Sequence, residues 1–196
     1  MHVSPTRITI QRLPAKHRWT DAALMALPHG EFKYELLDGD LIMSPASLDH
    51  GEMIIRLSMA IAGFVYEHEL GAVYDGQTGF KLSPKNVLSP DISFVVTARI
   101  PPRPKKLPKK GRFFPGAPDL AVEVLSPGET SATINRKIEL YFAHGTRLAW
   151  VIDPYSKAAS VYHAPTPDTF LTAKDSLRGE GVLPDFRFAL STIFRD

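Results

Sequence analysis

A nearly continuous apolar segment at residues 120–125 constrains the fold of this chain more than any other feature of its sequence. Segments of this kind form strands that are covered on both faces, because neither side of the strand meets water. A second apolar segment follows at residues 148–152, and residues 130–143 between them have the spacing of a helix that Gly145 ends. The order strand, helix, strand predicts a mixed α/β (α+β) fold, with a mixed central sheet flanked by helices.

Further elements are expected on both sides of this apolar segment. Residues 34–43 hold the pair Asp38-Gly39 between two strand-like stretches, and because Asp-Gly favours the turns that join twisted strands, they predict an N-terminal β-hairpin. Residues 48–70 have the apolar spacing of the longest helix. A short helix is expected at residues 21–27, and short strands at residues 72–74, 79–82, 91–96, 160–163 and 170–173.

Positive charge is concentrated in two short segments. The chain has a net charge of +2, but residues 1–20 carry four Lys or Arg and no acid, and residues 99–112 carry seven and no acid. The other 162 residues therefore have a net charge of −9. Basic segments on an acidic body suit a polyanionic partner such as nucleic acid. A solvated loop and a mobile terminus explain the same charges equally well.

The length of 196 residues is enough for one domain with a core that needs no covalent reinforcement. We expect a basic N-terminal arm at residues 1–19 and a single domain at residues 20–196, into which a basic loop is inserted at residues 99–117. Four prolines within residues 99–112 exclude a helix or a central strand there.

Several classes of protein are excluded by what the sequence lacks. The chain has no cysteine, which excludes disulfides, thiolate zinc sites, iron–sulfur clusters and a cysteine nucleophile. Residues 1–19 contain no long apolar stretch, so we expect no secretory leader there. The most apolar helical stretch, residues 53–65, contains Arg56 and is too short to span a bilayer. We therefore expect a soluble, cytoplasmic protein with no membrane partner.

Three charged residues stand where the pattern predicts apolar ones. Glu123 is the one charge within the apolar segment, Asp91 follows Pro90 at the start of a predicted strand, and Lys137 shares a helix face with apolar side chains. A buried charge destabilises a protein unless it is paired. The simpler explanations are an ion pair at Glu123, a turn acceptor at Asp91 and a lysine that reaches the helix edge.

Considered together, Asp91, Glu123 and Lys137 indicate a catalytic site. Two carboxylates on strands and an amine on the following helix are typical of proteins that cleave phosphodiester bonds. Oxygen ligands in a chain without cysteine favour a hard divalent cation, Mg²⁺ or Mn²⁺, over zinc. Such an ion polarises a phosphoryl oxygen and lowers the pKa of a bound water.

The order of these motifs resembles the PD-(D/E)XK nuclease superfamily and, within it, the Uma family of bacterial putative restriction endonucleases. The resemblance extends from about residue 20 to the C-terminus. The matching stretches are residues 34–39, Ser44 and Pro45 with His50, residues 90–94, residues 118–127, Lys137 with Tyr141, and residues 150–154.

The resemblance implies a restriction-endonuclease-like core, Mg²⁺ dependence and endonucleolytic cleavage of nucleic acid, with DNA as the expected substrate. It makes Asp91 and Glu123 the metal ligands, with the carbonyl of Val124 as a third. The superfamily lysine two residues after the acid is replaced by Leu125, so Lys137 is expected to supply the amine from the helix.

Two further residues are candidates for supporting roles. His50 is in phase with the apolar face of the long helix and is expected to contact a metal ligand or phosphate, with a core histidine as the alternative. Glu35 lies in the hairpin and is expected to complete the acidic cluster, with a surface glutamate as the alternative. A homodimer is expected, because cutting two strands benefits from two symmetric sites.

One departure from the family pattern supports a rival function. Thr133 stands where family members often carry an acid. This favours a catalytically impaired protein that keeps the nuclease fold and binds nucleic acid. A third hypothesis is an interaction protein in which Glu123 and Lys137 simply pair.

Overall fold

The fold consists of three α-helices and fourteen strands within the residues that the structure, a computed structural model, describes: 9–11, 19–28, 32–45, 48–106, 111–127 and 129–194. The helices are α1 (Asp21–Leu24), α2 (Leu48–Glu67) and α3 (Ser131–Ala143). The strands are β1 (Thr9–Gln11), β2 (Phe32–Leu37), β3 (Asp40–Pro45), β4 (Gly71–Asp75), β5 (Phe80–Ser83), β6 (Asn86–Leu88), β7 (Ile92–Val96), β8 (Phe114–Pro115), β9 (Leu120–Val124), β10 (Leu148–Asp153), β11 (Ala158–Tyr162), β12 (Thr169–Thr172), β13 (Ser176–Arg178) and β14 (Arg187–Ala189).

The central sheet confirms the predicted fold class. Its six strands follow the order β12, β11, β10, β9, β7, β4, and it is mixed because β9 and β10 run parallel while the other pairs are antiparallel. Every residue of β9 is buried. The helices explain this burial: Leu57 of α2 packs into the apolar cluster on one face of the sheet, and Ile138 of α3 packs into the cluster on the other.

A second six-stranded sheet, in the order β1, β3, β2, β6, β5, β8, extends the predicted hairpin. The hairpin itself is confirmed, since β2 and β3 pair antiparallel with Leu37 opposite Asp40. Asp38 and Gly39 both have positive φ, at 52° and 95°, as the tight turn between two twisted strands requires. The sequence analysis did not anticipate that short strands would join the hairpin into a full sheet.

The two basic segments differ from what we expected. Residues 9–11 of the predicted arm form β1, which pairs with β3, whereas residues 1–8 and 12–18 lie outside the described part of the chain. Within the predicted loop at residues 99–117, Phe114–Pro115 pairs with β5 at the sheet edge. A proline is tolerated there because an edge strand can lack one ladder hydrogen bond. Residues 107–110 also lie outside the described part.

Element boundaries differ modestly from the predictions. The helix expected at 48–70 ends at Glu67, and the one expected at 21–27 ends at Leu24. Strands β6, β13 and β14 were not predicted, because three-residue strands carry too few side chains to establish an alternation. None of the helices in the described ranges has the length and apolarity needed to cross a bilayer.

Gly71 shows why the edge of the central sheet needs a glycine. It lies opposite Val96 in the β4–β7 pair, and a Cβ at this position would overlap the carbonyl oxygen of Val95. By contrast, a Cβ at Gly63, on α2, would meet no atom within 4 Å. The two glycines are therefore a matched pair, one constrained by packing and one free of it.

We expect Gly71→Ala to lower the free energy of unfolding by about 2 kcal/mol, because the added methyl group forces β4 away from β7. Gly63→Ala should raise it by about 0.5–1 kcal/mol, because alanine has the higher helix propensity. Urea denaturation monitored by circular dichroism measures both. Equal effects of the two substitutions would show that the packing at Gly71 is not restrictive.

Candidate functional site

The antiparallel pair β7–β9 brings Asp91 and Glu123 to adjacent positions. Ile92 lies opposite Val122, so the next residues outward in the same register are Asp91 and Glu123. Residues directly opposite in an antiparallel pair project from the same face, with Cβ atoms about 5 Å apart. Both side chains are buried, with exposed fractions of 4% for Asp91 and 2% for Glu123. The register therefore places the two acids side by side, and the charge of Asp91 contributes to raising the pKa of Glu123; we call them the carboxylate pair.

Asp91 is held by three partners from different elements. Its Oδ2 accepts a hydrogen bond of 2.8 Å from the main-chain N–H of Val124 and lies 3.3 Å from Nε2 of His50. Its Oδ1 lies 2.8 Å from the ammonium nitrogen of Lys33. Burial alone would raise the pKa of Asp91, but the charges of Lys33 and His50 hold it well below its ordinary value. Asp91 is thus ionised, and it is not a local turn acceptor.

Glu123 lies beside a buried lysine and a buried tyrosine, both from α3. The hydroxyl of Tyr141 donates a hydrogen bond of 2.6 Å to Oε1, and Nζ of Lys137 lies 3.4 Å from Oε2. Burial raises the pKa of Glu123 to about 7, an effect that the charges of Lys137 and Lys33 only partly offset. The alternative in which Lys137 reaches the helix edge is wrong, because its side chain is only 3% exposed.

Lys137 connects three carboxylates. Its Nζ lies 2.8 Å from Oε2 of Glu35, 3.4 Å from Glu123 and 3.4 Å from Oε1 of Glu129. Burial opposes the charge of Lys137, but these carboxylates raise its pKa well above the ordinary value. The lysine is therefore charged, and it links β2, β9 and the residue before the N-cap of α3.

Glu35 belongs to the cluster and is not a surface residue, since it is 1% exposed. The main-chain N–H of Ser89 donates to its Oε1 at 2.8 Å. Burial would raise the pKa of Glu35, but the ammonium groups of Lys137 and Lys33 lower it. Glu35 thus brings a carboxylate from the second sheet to the acids of the central sheet.

His50, in the first turn of α2, faces the cluster as predicted. Its Nε2 lies 2.8 Å from the carbonyl oxygen of Val124 and 3.3 Å from Asp91. Burial lowers the pKa of His50, but the hydrogen bond to Asp91 and its charge raise it above the ordinary value overall. Protonated at Nε2, the imidazole can donate to both Val124 and Asp91.

The sequence analysis missed Lys33 and Glu129. Lys33 alternates with Glu35 on β2, and two residues that differ by two in a strand share a face, so this spacing was the available signal. Glu129 lies in the turn before α3, where no periodicity exists. Glu129 is relevant to the acid that family members often carry at the position of Thr133. The main-chain N–H of Thr133 donates to the side chain of Thr130, the N-cap of α3, whereas Glu129 brings an acid to Lys137 from the turn before the helix.

Acidic groups outnumber basic groups in the cluster. Four carboxyl groups, those of Glu35, Asp91, Glu123 and Glu129, face the ammonium groups of Lys33 and Lys137 and the imidazole of His50. Because burial raises the pKa of Glu123 to about 7, a divalent cation beside this carboxyl would stabilise its ionised form.

The donor set at the carboxylate pair also suits a hard cation. Among the described residues, no group of three or more His, Asp or Glu side chains is arranged to hold a metal ion. A cation here would therefore use the carboxylates of Asp91 and Glu123 with the main-chain carbonyl of Val124. That carbonyl has two lone pairs, so the hydrogen bond from His50 leaves one for a metal. The residues fit Mg²⁺ or Mn²⁺, which prefer oxygen ligands.

Asp119, which follows Pro118 as Asp91 follows Pro90, lies outside the cluster's contacts. It is 1% exposed, accepts a hydrogen bond from the main chain of Val96 at 3.0 Å and lies 3.0 Å from Nη1 of Arg99. Arg99 therefore serves the fold, although its position in the basic loop suggested a solvent-facing charge.

Comparison with known proteins identifies the family of the chain and a solved structure of similar fold. The model of the Uma2 family, described as "Putative restriction endonuclease", matches residues 21–191. The solved structure of "a putative nuclease belonging to DUF820" from Anabaena variabilis ATCC 29413 is similar to this chain, with a TM-score of 0.71 and 21% identity. The similarity covers 82% of this chain and 89% of that one. No curated protein matches the chain.

We expect Lys137→Met to lower the free energy of unfolding by about 3–5 kcal/mol, because it leaves three buried carboxylates without their shared ammonium group. Adding Glu35→Gln should restore part of the loss, since one uncompensated charge is removed. The loss should be smaller at acidic pH, because carboxyls whose pKa the substitution raises take up protons there. Urea denaturation at two pH values measures these effects.

The control is Lys81→Met, which removes the exposed ion pair between Lys81 and Asp21. Its cost should be at most about 1 kcal/mol. A similar small cost for Lys137→Met would contradict the assignment of Lys137 as the ion that holds the cluster together.

Proposed function

The chain belongs to the Uma2 family of putative restriction endonucleases, and on that basis we propose that it is a metal-dependent endonuclease that hydrolyses phosphodiester bonds in DNA. The observation that supports this proposal is the convergence of Asp91, Glu123 and Lys137 in one buried cluster. Asp91, which precedes β7, meets residues of β9 and α3 where a hard cation and a phosphate could both be bound.

The proposed cofactor is Mg²⁺, with Mn²⁺ as a substitute, held by Asp91, Glu123 and the carbonyl of Val124. When bound, such an ion polarises the phosphoryl oxygen and makes a water more acidic. The protein's own groups hold the ligands in place. The Val124 N–H and the His50 imidazole fix the carboxylate of Asp91, and the Tyr141 hydroxyl fixes that of Glu123.

The two lysines are assigned different roles because they differ in exposure. Lys137 is 3% exposed and contacts three carboxylates, so it orients the acidic side of the site and its water. Lys33 is 15% exposed, and its ammonium nitrogen lies 2.8 Å from Oδ1 of Asp91. Lys33 is therefore the ammonium that can reach a substrate phosphate and offset its developing charge. Glu35 positions Lys137.

DNA is the proposed partner, and the described basic side chains support it. Arg103, Lys105, Lys106 and Arg112 are exposed in the basic loop, where they can contact phosphates without discriminating among sequences. The proposed biological setting is cytoplasmic. A homodimer is proposed because two symmetric sites would cut both strands of a duplex.

We expect the wild-type protein to nick supercoiled plasmid DNA in the presence of Mg²⁺ and not in EDTA. Asp91→Asn and Glu123→Gln should each reduce nicking about 100-fold or more, because each removes a charged ligand from the carboxylate pair. Agarose gel electrophoresis over a time course measures the rate. Asp168→Asn and Glu139→Gln, which alter exposed acids, are the matched controls and should retain wild-type rates.

Calorimetry with Mn²⁺ separates this proposal from its rivals. A nuclease should bind Mn²⁺, and Asp91→Asn should abolish the binding. Mn²⁺ binding without nicking would favour an impaired nucleic-acid-binding protein. Absence of both Mn²⁺ binding and nicking would favour the interaction protein. Nicking that is unchanged in Asp91→Asn and Glu123→Gln would assign the cleavage to a contaminant or to another site.

Lys33→Gln should weaken DNA binding in EDTA and make the dependence of log K on log salt concentration shallower by about 1, because one phosphate contact is lost. Fluorescence anisotropy over a range of salt concentrations measures this slope. Lys81→Gln, which also removes a β-strand lysine paired with an aspartate, is the control and should leave the slope unchanged. An unchanged slope for Lys33→Gln would show that Lys33 serves only Asp91.

A further inference from the structure

A trough of about 320 Å³ opens beside the buried cluster. Its walls are Leu125, which follows β9, Ile134 on α3, and Val151 on β10, and it extends over β11 to Phe170 on β12. A volume of this size lies at the lower end of the range for small-molecule sites. The residues that line it do not include Asp91, Glu123, Lys33, Lys137 or His50.

The trough adjoins the proposed catalytic site through Glu129. This residue lines the trough, and its Oε1 lies 3.4 Å from Nζ of Lys137. Leu125 also lines the trough and directly follows Val124, the proposed carbonyl ligand. A ligand in the trough would therefore lie next to a phosphate held at the cluster.

An exposed aromatic ring stands at the outer end of the trough. Strand register places Val151, Ser160 and Phe170 in one row across β10, β11 and β12, so the three side chains project from the same face. Ser160 in the middle of the row is small, which leaves room above it. Phe170 is 74% exposed, so its ring is free to stack against a flat partner.

The carboxylates that border the trough are already compensated. The oxygens of Asp153 accept hydrogen bonds from the main chain of Tyr155 at 2.9 Å and from the hydroxyl of Ser156 at 2.6 Å. Glu129 faces the ammonium group of Lys137. An uncharged ring with polar edges suits such a trough better than a second anion or a cation does.

We propose that this trough is a nucleobase-binding site, in which the base of an unpaired nucleotide stacks on Phe170 while a phosphate farther along the same strand lies at the Asp91–Glu123 cluster. The inference rests on the proposed function and specifies its substrate. Glu123 and Phe170 are separated by three strand-to-strand steps of about 4.8 Å each, about 14 Å in all, a span that more than one nucleotide of a single strand can cover. A base within an intact duplex is stacked on both sides and cannot enter, so the preferred DNA has unpaired nucleotides beside the cut.

The test compares binding of a single-stranded oligonucleotide and of its duplex, both measured in EDTA by fluorescence anisotropy. Phe170→Ala should weaken single-strand binding about 10-fold, in the range found for loss of one stacked base, and leave duplex binding within about 2-fold. Phe170→Trp should preserve single-strand binding, and its fluorescence should be quenched when the oligonucleotide binds. Met59→Ala, on the outward face of α2, removes another exposed apolar side chain and is the matched control.

The outcomes separate this inference from the proposed function. Unchanged single-strand binding in Phe170→Ala, or an equal loss for single strand and duplex, would overturn the nucleobase site. Loss of single-strand binding in Phe170→Ala without any plasmid nicking by the wild type would retain the base site and reject the nuclease. Nicking by the wild type, with single-strand binding unchanged in Phe170→Ala, would retain the nuclease and reject the base site.

Discussion

The structure depends on the ion cluster around Lys137. Its ammonium group lies between Glu35 of the second sheet and Glu123 of the central sheet, with Glu129 from the turn before α3. Buried ions without partners are among the costliest arrangements in a protein interior, so these elements can pack only in the register that pairs them. The same contacts that join two sheets and a helix therefore fix the position of the carboxylate pair.

The residues of the cluster fall into two groups that differ in their exposure to solvent. Groups at the back, Tyr141 and Lys137, are fully enclosed and fix Glu123. Groups nearer the opening, Lys33 and His50, contact Asp91 and retain some exposure. The rigid part sets the geometry, and the accessible part can exchange contacts with a substrate. Rigid support behind an accessible face holds charged groups in a fixed arrangement before a ligand binds.

Much of this site could be predicted from sequence, because a charge within an apolar strand or on an apolar helix face is visible without coordinates. Glu123 and Lys137 illustrate this, and their burial is confirmed. Lys33 could not be found in the same way, since its strand is half-buried and its alternation signals only that it shares a face with Glu35. The second sheet was missed for a related reason: strands of two or three residues depend on distant partners, and local pattern does not reveal those partners.

The spacing of the cluster along the chain has a consequence for biosynthesis. Its side chains come from Lys33 in the hairpin, from β7 and β9, and from Tyr141 near the end of α3, so they are separated by more than a hundred positions in sequence. Pairing over such distances forms slowly compared with local turns and helices. A nascent chain still lacking α3 holds Glu35 and Glu123 without the ammonium group of Lys137, and the cluster is therefore complete only after that helix has left the ribosome and docked.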